Sequence, residues 1–196
     1  MIDDAAIPFL QEIVNHSINQ SLFPRLWTKA LAVPIPKVPN PVAAVDLRPI
    51  SIICVVSKLV EKAVYQQALN HLLTNNFIDN FQSGFRPAHS TTALVKVYDD
   101  IRAGADNGLL TILVLFDFTQ AFFSIVHEIL YQKMRVYGFS EPAIGWFRPF
   151  LYDRTQCVRV RESRSSWIPV GQGVPQGSPL GSLCFLLYKN DLPPAL

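Results

Sequence analysis

The sequence predicts a mixed fold, of the α/β or α+β class, in one domain or a large part of one. Segments with helical periodicity alternate with short apolar or alternating segments along the whole chain, and no repeat, low-complexity tract or linker divides it. The 196 residues, 49% of them hydrophobic and 16% charged, are enough to bury a core and argue against disorder.

Charge and cysteine usage restrict the class of partner. The formal net charge is only +2, so any nucleic acid must be bound by a local basic patch. Cys54, Cys157 and Cys184 are far apart and odd in number, which predicts reduced, packed thiols and neither a disulfide framework nor a zinc knuckle. The first residues show no secretory signal, and the longest apolar run is about half of a membrane-spanning length. We therefore expect an intracellular protein, in cytoplasm or nucleus, without a membrane partner. The sequence does not determine its oligomeric state.

The N-terminal part predicts a helix followed by extended chain. Apolar residues spaced at helical intervals predict a helix over Ile7–Leu22. Residues 23–51 contain six prolines, which exclude a regular helix. Within this stretch "KALAVPIPK" is typical of a strand that Pro34 and Pro36 confine to an edge or an end of a sheet.

Two further helices are predicted before residue 108. One begins near Ser51, a plausible N-cap, and runs to about Leu73. The other runs from Ser90 to Arg102 and stops at Gly104.

The C-terminal half predicts a strand, a helix, a hairpin and a final helix. Leu109–Phe116 has no polar face and is short for a helix, which predicts a buried strand. A helix is expected over Ser124–Tyr137, ended by Gly138. Residues 156–170, "QCVRVRESRSSWIPV", alternate as a hairpin does, with valines on one face and arginines on the other. Ser178-Pro179 is typical of an N-cap and the first position of a helix.

Asp117 ends the apolar run and is the first candidate for chemistry. Strand-terminal aspartates serve as phosphatase nucleophiles, as phosphoaspartates, as metal ligands of nucleotide polymerases, or only as caps and ion-pair partners. A phosphatase usually has a second carboxylate two residues later, where this chain has Thr119. By itself Asp117 favours a cap or an ion pair. The glycine-rich "VGQGVPQGSPLGSL" is not a Walker loop because no Gly-Lys-Ser/Thr follows, and a turn before a helix explains it adequately.

Five stretches taken together are more specific. In this order, "VPIPK", "LRPIS", "FQSGFRPAHSTTALV", "FDFTQAFFSIVHEIL" and "VPQGSPLGSLCFLLYKNDLP" closely resemble the reverse transcriptases of non-LTR (LINE-like) retrotransposons. The resemblance covers nearly the whole chain. It implies an α+β fold of right-hand polymerase fingers (about 1–108) plus a partial palm (109–196) with an inserted hairpin. It also implies an RNA-directed DNA polymerase that uses an RNA template, a DNA primer and deoxynucleoside triphosphates.

The resemblance implies a metal site and a sugar contact. Asp117 corresponds to the aspartate that binds both Mg²⁺ ions, and the backbone carbonyl of Phe118 to a further ligand. Two ions roughly 4 Å apart suit in-line phosphoryl transfer. Phe122 corresponds to the aromatic residue that excludes a 2′-hydroxyl, although its residue type alone favours ordinary core packing.

The same resemblance implies the contacts with the triphosphate, the bases and the nucleic-acid backbone. Lys37 and Arg48 match the basic residues that bind the triphosphate, and Gln176 with Gly177 matches the loop that packs on the nucleotide and the template base. Nucleic-acid contacts are implied for three arginines: Arg86, Arg159 and Arg161. As isolated residues, the basic positions favour solvated surface charges.

Two departures from the family pattern lower the expected activity. Phe123 stands where LINE-like elements usually have aspartate, and the chain ends at "KNDLPPAL", before the second metal-binding motif with its two aspartates. Asp191 is no substitute because it is expected near a helix C-terminus, away from Asp117. We therefore expect a truncated domain that lacks activity as it stands, a non-catalytic remnant with at most weak nucleotide or nucleic-acid binding being the alternative. Leu109–Asp117 would then lack a strand partner and expose an apolar edge.

Overall fold

The computed structural model describes residues 4–79, 81–86, 89 and 91–192, which form a mixed arrangement of helices and strands. The helices are α1 (Ile7–Asn19), α2 (Val55–Thr74), α3 (Thr92–Asp106), α4 (His127–Val136), α5 (Glu141–Leu151) and α6 (Pro179–Lys189). The strands are β1 (Lys29–Pro36), β2 (Leu47–Ile52), β3 (Arg154–Val160), β4 (Ser163–Arg164) and β5 (Ile168–Val170). Short 3-10 turns cover Asp4–Ala6, Arg25–Thr28 and Ala44–Asp46.

One mixed sheet joins strands from both halves of the chain. Its order is β2-β1-β3-β4, with β5 also paired to β3. β1 runs antiparallel to β2, with Pro34 opposite Pro49, and parallel to β3, with Lys29 opposite Thr155. The predicted hairpin is confirmed as β3 with its antiparallel partners β4 and β5. The division into fingers and palm stays a prediction.

The prolines of β1 limit its pairing as predicted. β3 pairs only with Lys29–Ala32, whereas β2 continues along β1 to Pro36. A proline has no N–H to donate, so the strand beyond Ala32 can be bonded on one side only. Beyond Ala32, β1 and β2 form a two-stranded ribbon, and Lys37 directly follows the last residue of β1.

The core lies among α2, α4, α5 and α6. Leu130, Ile144 and Leu180 are fully buried there, and Phe150 stacks on Trp146 with ring centroids 5.7 Å apart. Phe23, which precedes β1, meets Phe150 edge-to-face at 5.3 Å. Burial of these side chains supplies the main apolar driving force for the fold.

The segment before Asp117 is exposed, and the prediction of a buried strand is wrong. The large apolar side chains of residues 109–116 are 54% to 89% exposed, and no strand is assigned there. A strand is stabilised by hydrogen bonds to a neighbour, and within the described ranges none lies beside this segment. The segment is apolar and exposed as expected, but because it is not a strand it does not form the edge of a sheet.

Two helix starts differ from prediction because other backbone contacts compete. Ser51 does not cap a helix. It lies in β2, where its N–H donates to the carbonyl of Gln176 at 2.7 Å, and α2 begins at Val55. α4 begins at His127 and not at Ser124. The carbonyl of Ile125, which would accept an intrahelical bond if the helix began at Ser124, instead accepts the N–H of Gly173 in the glycine-rich loop.

The third helix is displaced toward the C-terminus. α3 ends at Asp106, with Gly104 inside it, because Gly108 (φ 69°) supplies the left-handed residue beyond the end. The predicted start, Ser90, lies outside the described residues. Nowhere in ranges 4–79, 81–86 and 91–192 is there a helix long and apolar enough to cross a bilayer. Cys157 and Cys184 are buried free thiols and Cys54 is a half-buried one, as predicted.

Candidate functional site

Three distant stretches of sequence line one open cleft of about 720 Å³. The first is the end of β1 with the turn into β2, the second is the segment after the exposed apolar run, and the third is the glycine-rich loop. The cleft brings together six of the residues singled out from the sequence: Lys37, Arg48, Asp117, Phe118, Phe122 and Gln176.

The basic side of the cleft is built on the ribbon of β1 and β2. The Lys37 ammonium donates to the carbonyl of Val45 at 3.0 Å, and Arg48 is an exposed residue of β2 opposite Ile35. Asp46 ties the intervening turn by accepting backbone N–H groups of residues 42 and 43, each at 3.0 Å. These hydrogen bonds, helped by Lys37, lower the pKa of the Asp46 carboxyl. The ribbon of β1 and β2 thus places two cations at the cleft, while the carboxylate of Asp46 is hydrogen-bonded within the turn between these strands.

Asp117 enters the cleft from an extended segment that then turns sharply. Gln120 has φ 56°, and its carbonyl accepts the N–H groups of Phe123 and Ser124 at 2.8 and 3.1 Å. The Asp117 side chain is exposed, and the neighbouring Phe118 ring lies edge-to-face on Phe185 at 5.9 Å. The carboxylate is therefore accessible to a ligand.

Phe122 both packs and lines the cleft. Its ring centroid lies 5.6 Å from that of Phe185 and 6.3 Å from that of Phe85, and its carbonyl accepts the Val174 N–H at 2.8 Å. The ring is half-buried against the core and also forms part of the cleft wall. The ordinary packing that its residue type favours is therefore present, and its contact with a nucleotide sugar stays a prediction.

Glycines allow the loop to lie directly against the cleft. A Cβ at Gly173 (φ 80°) would lie 2.7 Å from the carbonyl oxygen of Phe122, and one at Gly177 (φ 125°) would lie 2.8 Å from that of Ser51. Both positions combine a left-handed φ with close backbone contact, which only glycine accommodates. The loop therefore lies directly against the protein's own backbone, and Gln176 lies in the cleft wall.

The described residues do not fit a two-ion metal site. Asp117 is the one carboxylate among the residues that line the cleft. No group of three or more histidine, cysteine or acidic side chains able to hold a metal occurs in the described ranges. Two divalent cations need several oxygen ligands, most of them carboxylates. Asp117 and the Phe118 carbonyl alone cannot provide them.

Asp191 lies away from this cleft, as predicted. It follows the end of α6, accepts from the Lys133 ammonium at 2.5 Å, and lines a different depression beside Asn76 and Val136. The same ammonium donates to the carbonyl of Tyr188. Asp191 and Lys133 thus hold the C-terminal end of α6, where a cation also interacts favourably with the helix dipole.

The three arginines predicted to contact nucleic acid are not lining residues of the cleft. Arg86 donates to the carbonyls of Asp79 and Gln82 at 3.4 and 3.3 Å, within its own loop. Arg159 lies on β3, and Arg161 lies at the exposed hairpin turn with φ 54°. Their role stays a prediction.

Two residues near the cleft and the hairpin were not singled out from the sequence. Arg164 faces Arg159 across the β3–β4 ladder and adds a third guanidinium to the hairpin tip. Glu61 is fully buried on α2, hydrogen-bonded to Ser57 and to Ser178 of the glycine-rich loop. Its signal was present in the sequence, because helical spacing places it on the same face as the apolar residues of α2.

Comparison with protein families decides the relationship. The model of the reverse transcriptase (RNA-dependent DNA polymerase) family matches residues 35–195. The chain belongs to this family. This match together with the relatives described next confirms the resemblance to the reverse transcriptases of non-LTR retrotransposons that was inferred from the five motifs.

Three curated relatives come from transposable elements of Drosophila melanogaster. The chain is 34% identical to the probable RNA-directed DNA polymerase from transposon BS, over 96% of its own length. It is 30% identical to the RNA-directed DNA polymerase from mobile element jockey and 28% identical to the probable one from transposon X-element. In each case the match spans 21% of the relative's length.

Proposed function

We propose that this reverse transcriptase chain forms the deoxynucleotide-binding cleft of an RNA-directed DNA polymerase, in a fingers and partial-palm arrangement. The observation that carries the proposal is the cleft itself. Side chains expected to contact the triphosphate, the sugar and the base come from three separate stretches of sequence and line one depression.

Each wall of the cleft suits one part of a deoxynucleoside triphosphate. Lys37 and Arg48 are exposed cations that bind phosphate oxygens, the guanidinium in a bidentate way. The Phe122 ring lies against the sugar, where its bulk excludes a 2′-hydroxyl. Gln176 packs on the base of the nucleotide and of the RNA template, and Gly177, which is not a lining residue, lets the turn lie against β2.

Catalysis requires more carboxylates than the described residues provide. Phosphoryl transfer in this family is proposed to use two Mg²⁺ ions, for which Asp117 and the Phe118 carbonyl are candidate ligands. Since a single carboxylate occurs among the described residues that line the cleft, we propose that this chain binds a nucleotide without adding it to a primer. The same observation favours the second candidate, a non-catalytic remnant with weak or no nucleotide binding.

Nucleotide titration separates these two candidates. The affinity of the 196-residue chain for 2′-deoxythymidine triphosphate is measured with Mg²⁺ and with EDTA, for the parent and for Arg48→Ala. Loss of a charge-assisted hydrogen bond is expected to raise Kd about 10-fold. Arg25→Ala is the matched control, because Arg25 is an exposed arginine that pairs with Asp153 and does not line the cleft. Equal effects of the two substitutions, or no binding by the parent, would refute the proposal.

Sugar discrimination and primer extension complete the test. Phe122→Ala should reduce the preference for the deoxy over the ribo form of the nucleotide. Extension of a DNA primer on an RNA template should be absent for the parent and for Asp117→Ala alike. Extension by the parent that the variant loses would show that Asp117 has carboxylate partners and that the chain is itself a polymerase.

A further inference from the structure

A buried acidic residue connects the helical core to the loop that forms one wall of the cleft. Glu61 is 0% exposed, and burial raises the pKa of its carboxyl group. A buried carboxylate is costly unless its oxygens are hydrogen-bonded. Both oxygens have partners: Oε1 accepts from Ser57 Oγ at 3.0 Å, and Oε2 accepts from Ser178 Oγ at 2.5 Å.

The two serines differ in where they lie. Ser57 belongs to α2, like Glu61 itself, and also donates to the carbonyl of Cys54 at 2.8 Å. Ser178 is the N-cap of α6 and directly follows the turn of Gln176 and Gly177. Its Oγ accepts the Leu180 N–H at 3.0 Å. The bond from Ser178 to Glu61 therefore joins the C-terminal end of the loop to a different helix.

The loop is attached to the protein at two other places. Its beginning is bonded to the Phe122 segment, where Gly173 N–H donates to Ile125 and Val174 N–H donates to Phe122, both at 2.8 Å. Its middle is bonded to β2, where Ser51 N–H donates to the Gln176 carbonyl at 2.7 Å. With Glu61 holding the end, these contacts determine where Gln176 lies in the wall of the cleft.

We infer that Glu61 is a positioning residue for the nucleotide cleft, which acts through Ser178 to hold the Gln176–Gly177 turn against β2. The part of this inference that concerns nucleotide rests on the proposed function. The part that concerns the loop does not, because it is a statement about hydrogen bonds within the chain.

The Ser51 amide reports on the position of the loop. Its hydrogen exchange in the native chain is compared with that of the Leu130 amide, which belongs to a fully buried residue, donates to Val126 at the start of α4, and serves as the reference for opening outside the loop. Glu61→Met removes both acceptors at similar volume. It should accelerate Ser51 exchange about 10-fold relative to Leu130, the change expected for one lost hydrogen bond. Ser178→Ala should do the same, and combining the two should add little because they interrupt the same connection.

Two variants separate positioning from general stability. Ser57→Ala removes the hydrogen bond to Glu61 that does not involve the loop. Glu61→Gln keeps an oxygen that can accept from Ser178. Both should leave the relative exchange of Ser51 within about twofold of the parent even if the melting temperature falls. The positioning role is wrong if Ser57→Ala accelerates the hydrogen exchange of Ser51 as much as Ser178→Ala does. It is also wrong if Glu61→Met leaves the exchange rate of Ser51 unchanged.

Nucleotide affinity then tests the functional consequence. The Kd for 2′-deoxythymidine triphosphate should rise in Glu61→Met and Ser178→Ala and stay constant in Ser57→Ala. If the parent chain does not bind the nucleotide, the proposed function fails, while the Ser51 amide still decides whether Glu61 positions the loop. If the parent binds and the Glu61→Met variant binds equally well, the inference fails and the proposed function stands.

Discussion

Replacing Gly173 by alanine should be among the most damaging single-methyl additions to this chain. Gly173 has φ 80°, and an added Cβ would lie 2.7 Å from the Phe122 carbonyl oxygen and 2.7 Å from the Phe123 Cα. Both contacts are to backbone, so no side-chain rotation can relieve them. The loop must move away from the Phe122 segment.

The expected cost follows from three contributions. The left-handed conformation costs an alanine about 1–2 kcal/mol. Displacement of the loop breaks the bonds from Gly173 to Ile125 and from Val174 to Phe122, each contributing about 1 kcal/mol. The stiffer unfolded chain offsets about 0.4–1 kcal/mol of this. The free energy of unfolding should therefore fall by about 3 kcal/mol.

Two other glycines isolate these contributions. Gly108 has φ 69° but nothing within 4 Å of an added Cβ, so Gly108→Ala carries only the conformational cost of about 1 kcal/mol. Gly171 has open space and no left-handed φ, so Gly171→Ala should be neutral or slightly stabilising. Urea unfolding of all three variants measures the differences. A loss at Gly173 no larger than that at Gly108 would refute the close approach of the loop to the Phe122 segment.

Three further variants test the core, the exposed segment and the buried acid. Phe150→Ala, at a fully buried ring, should cost about 4 kcal/mol in thermal unfolding, and a loss below about 1 kcal/mol would contradict the packing described. Leu110→Lys combined with Leu115→Lys should cost less than about 1 kcal/mol, because these side chains are 89% and 82% exposed; a loss of several kcal/mol would favour a buried strand. Burial raises the pKa of the Glu61 carboxyl above 4.5, although its hydrogen bonds and the nearby Arg154 offset part of this increase. Because the folded state binds this proton more tightly than the unfolded state, the carboxyl contributes favourably to the free energy of unfolding below pH 4.5, and this contribution is lost as pH rises. Between pH 4 and pH 8 the free energy of unfolding of the parent should therefore fall relative to that of Glu61→Gln. An equal difference between the two proteins at both pH values would contradict the raised pKa.

Elements determined by neighbours in sequence were predicted well. α6 begins at Pro179 with Ser178 as its N-cap, and the alternating residues 156–170 form the hairpin. Helical periodicity, capping residues and strand alternation are local properties, so a single sequence carries them. The prolines of β1 likewise indicated the end of its pairing, because the lack of an N–H is a property of the residue itself.

Elements that depend on distant partners were predicted less well. Ser51 has the residue type of an N-cap, yet a bond from its backbone to Gln176, far along the chain, keeps it in β2. The apolar residues 109–116 have the composition of a buried strand, but burial requires a neighbour, and the described chain places none beside them.

By itself the sequence determined the family of this protein and singled out six of the residues that line its cleft, because ordered motifs of specific residue types are carried by the chain alone. Only the tertiary structure decided that Lys37, Arg48, Asp117, Phe122 and Gln176 line one depression. It also decided that the buried Glu61 of α2 accepts a hydrogen bond from Ser178 at the end of the glycine-rich loop. Such contacts join residues far apart in sequence, and their geometry depends on how the sheet and the helices pack, which no local pattern encodes.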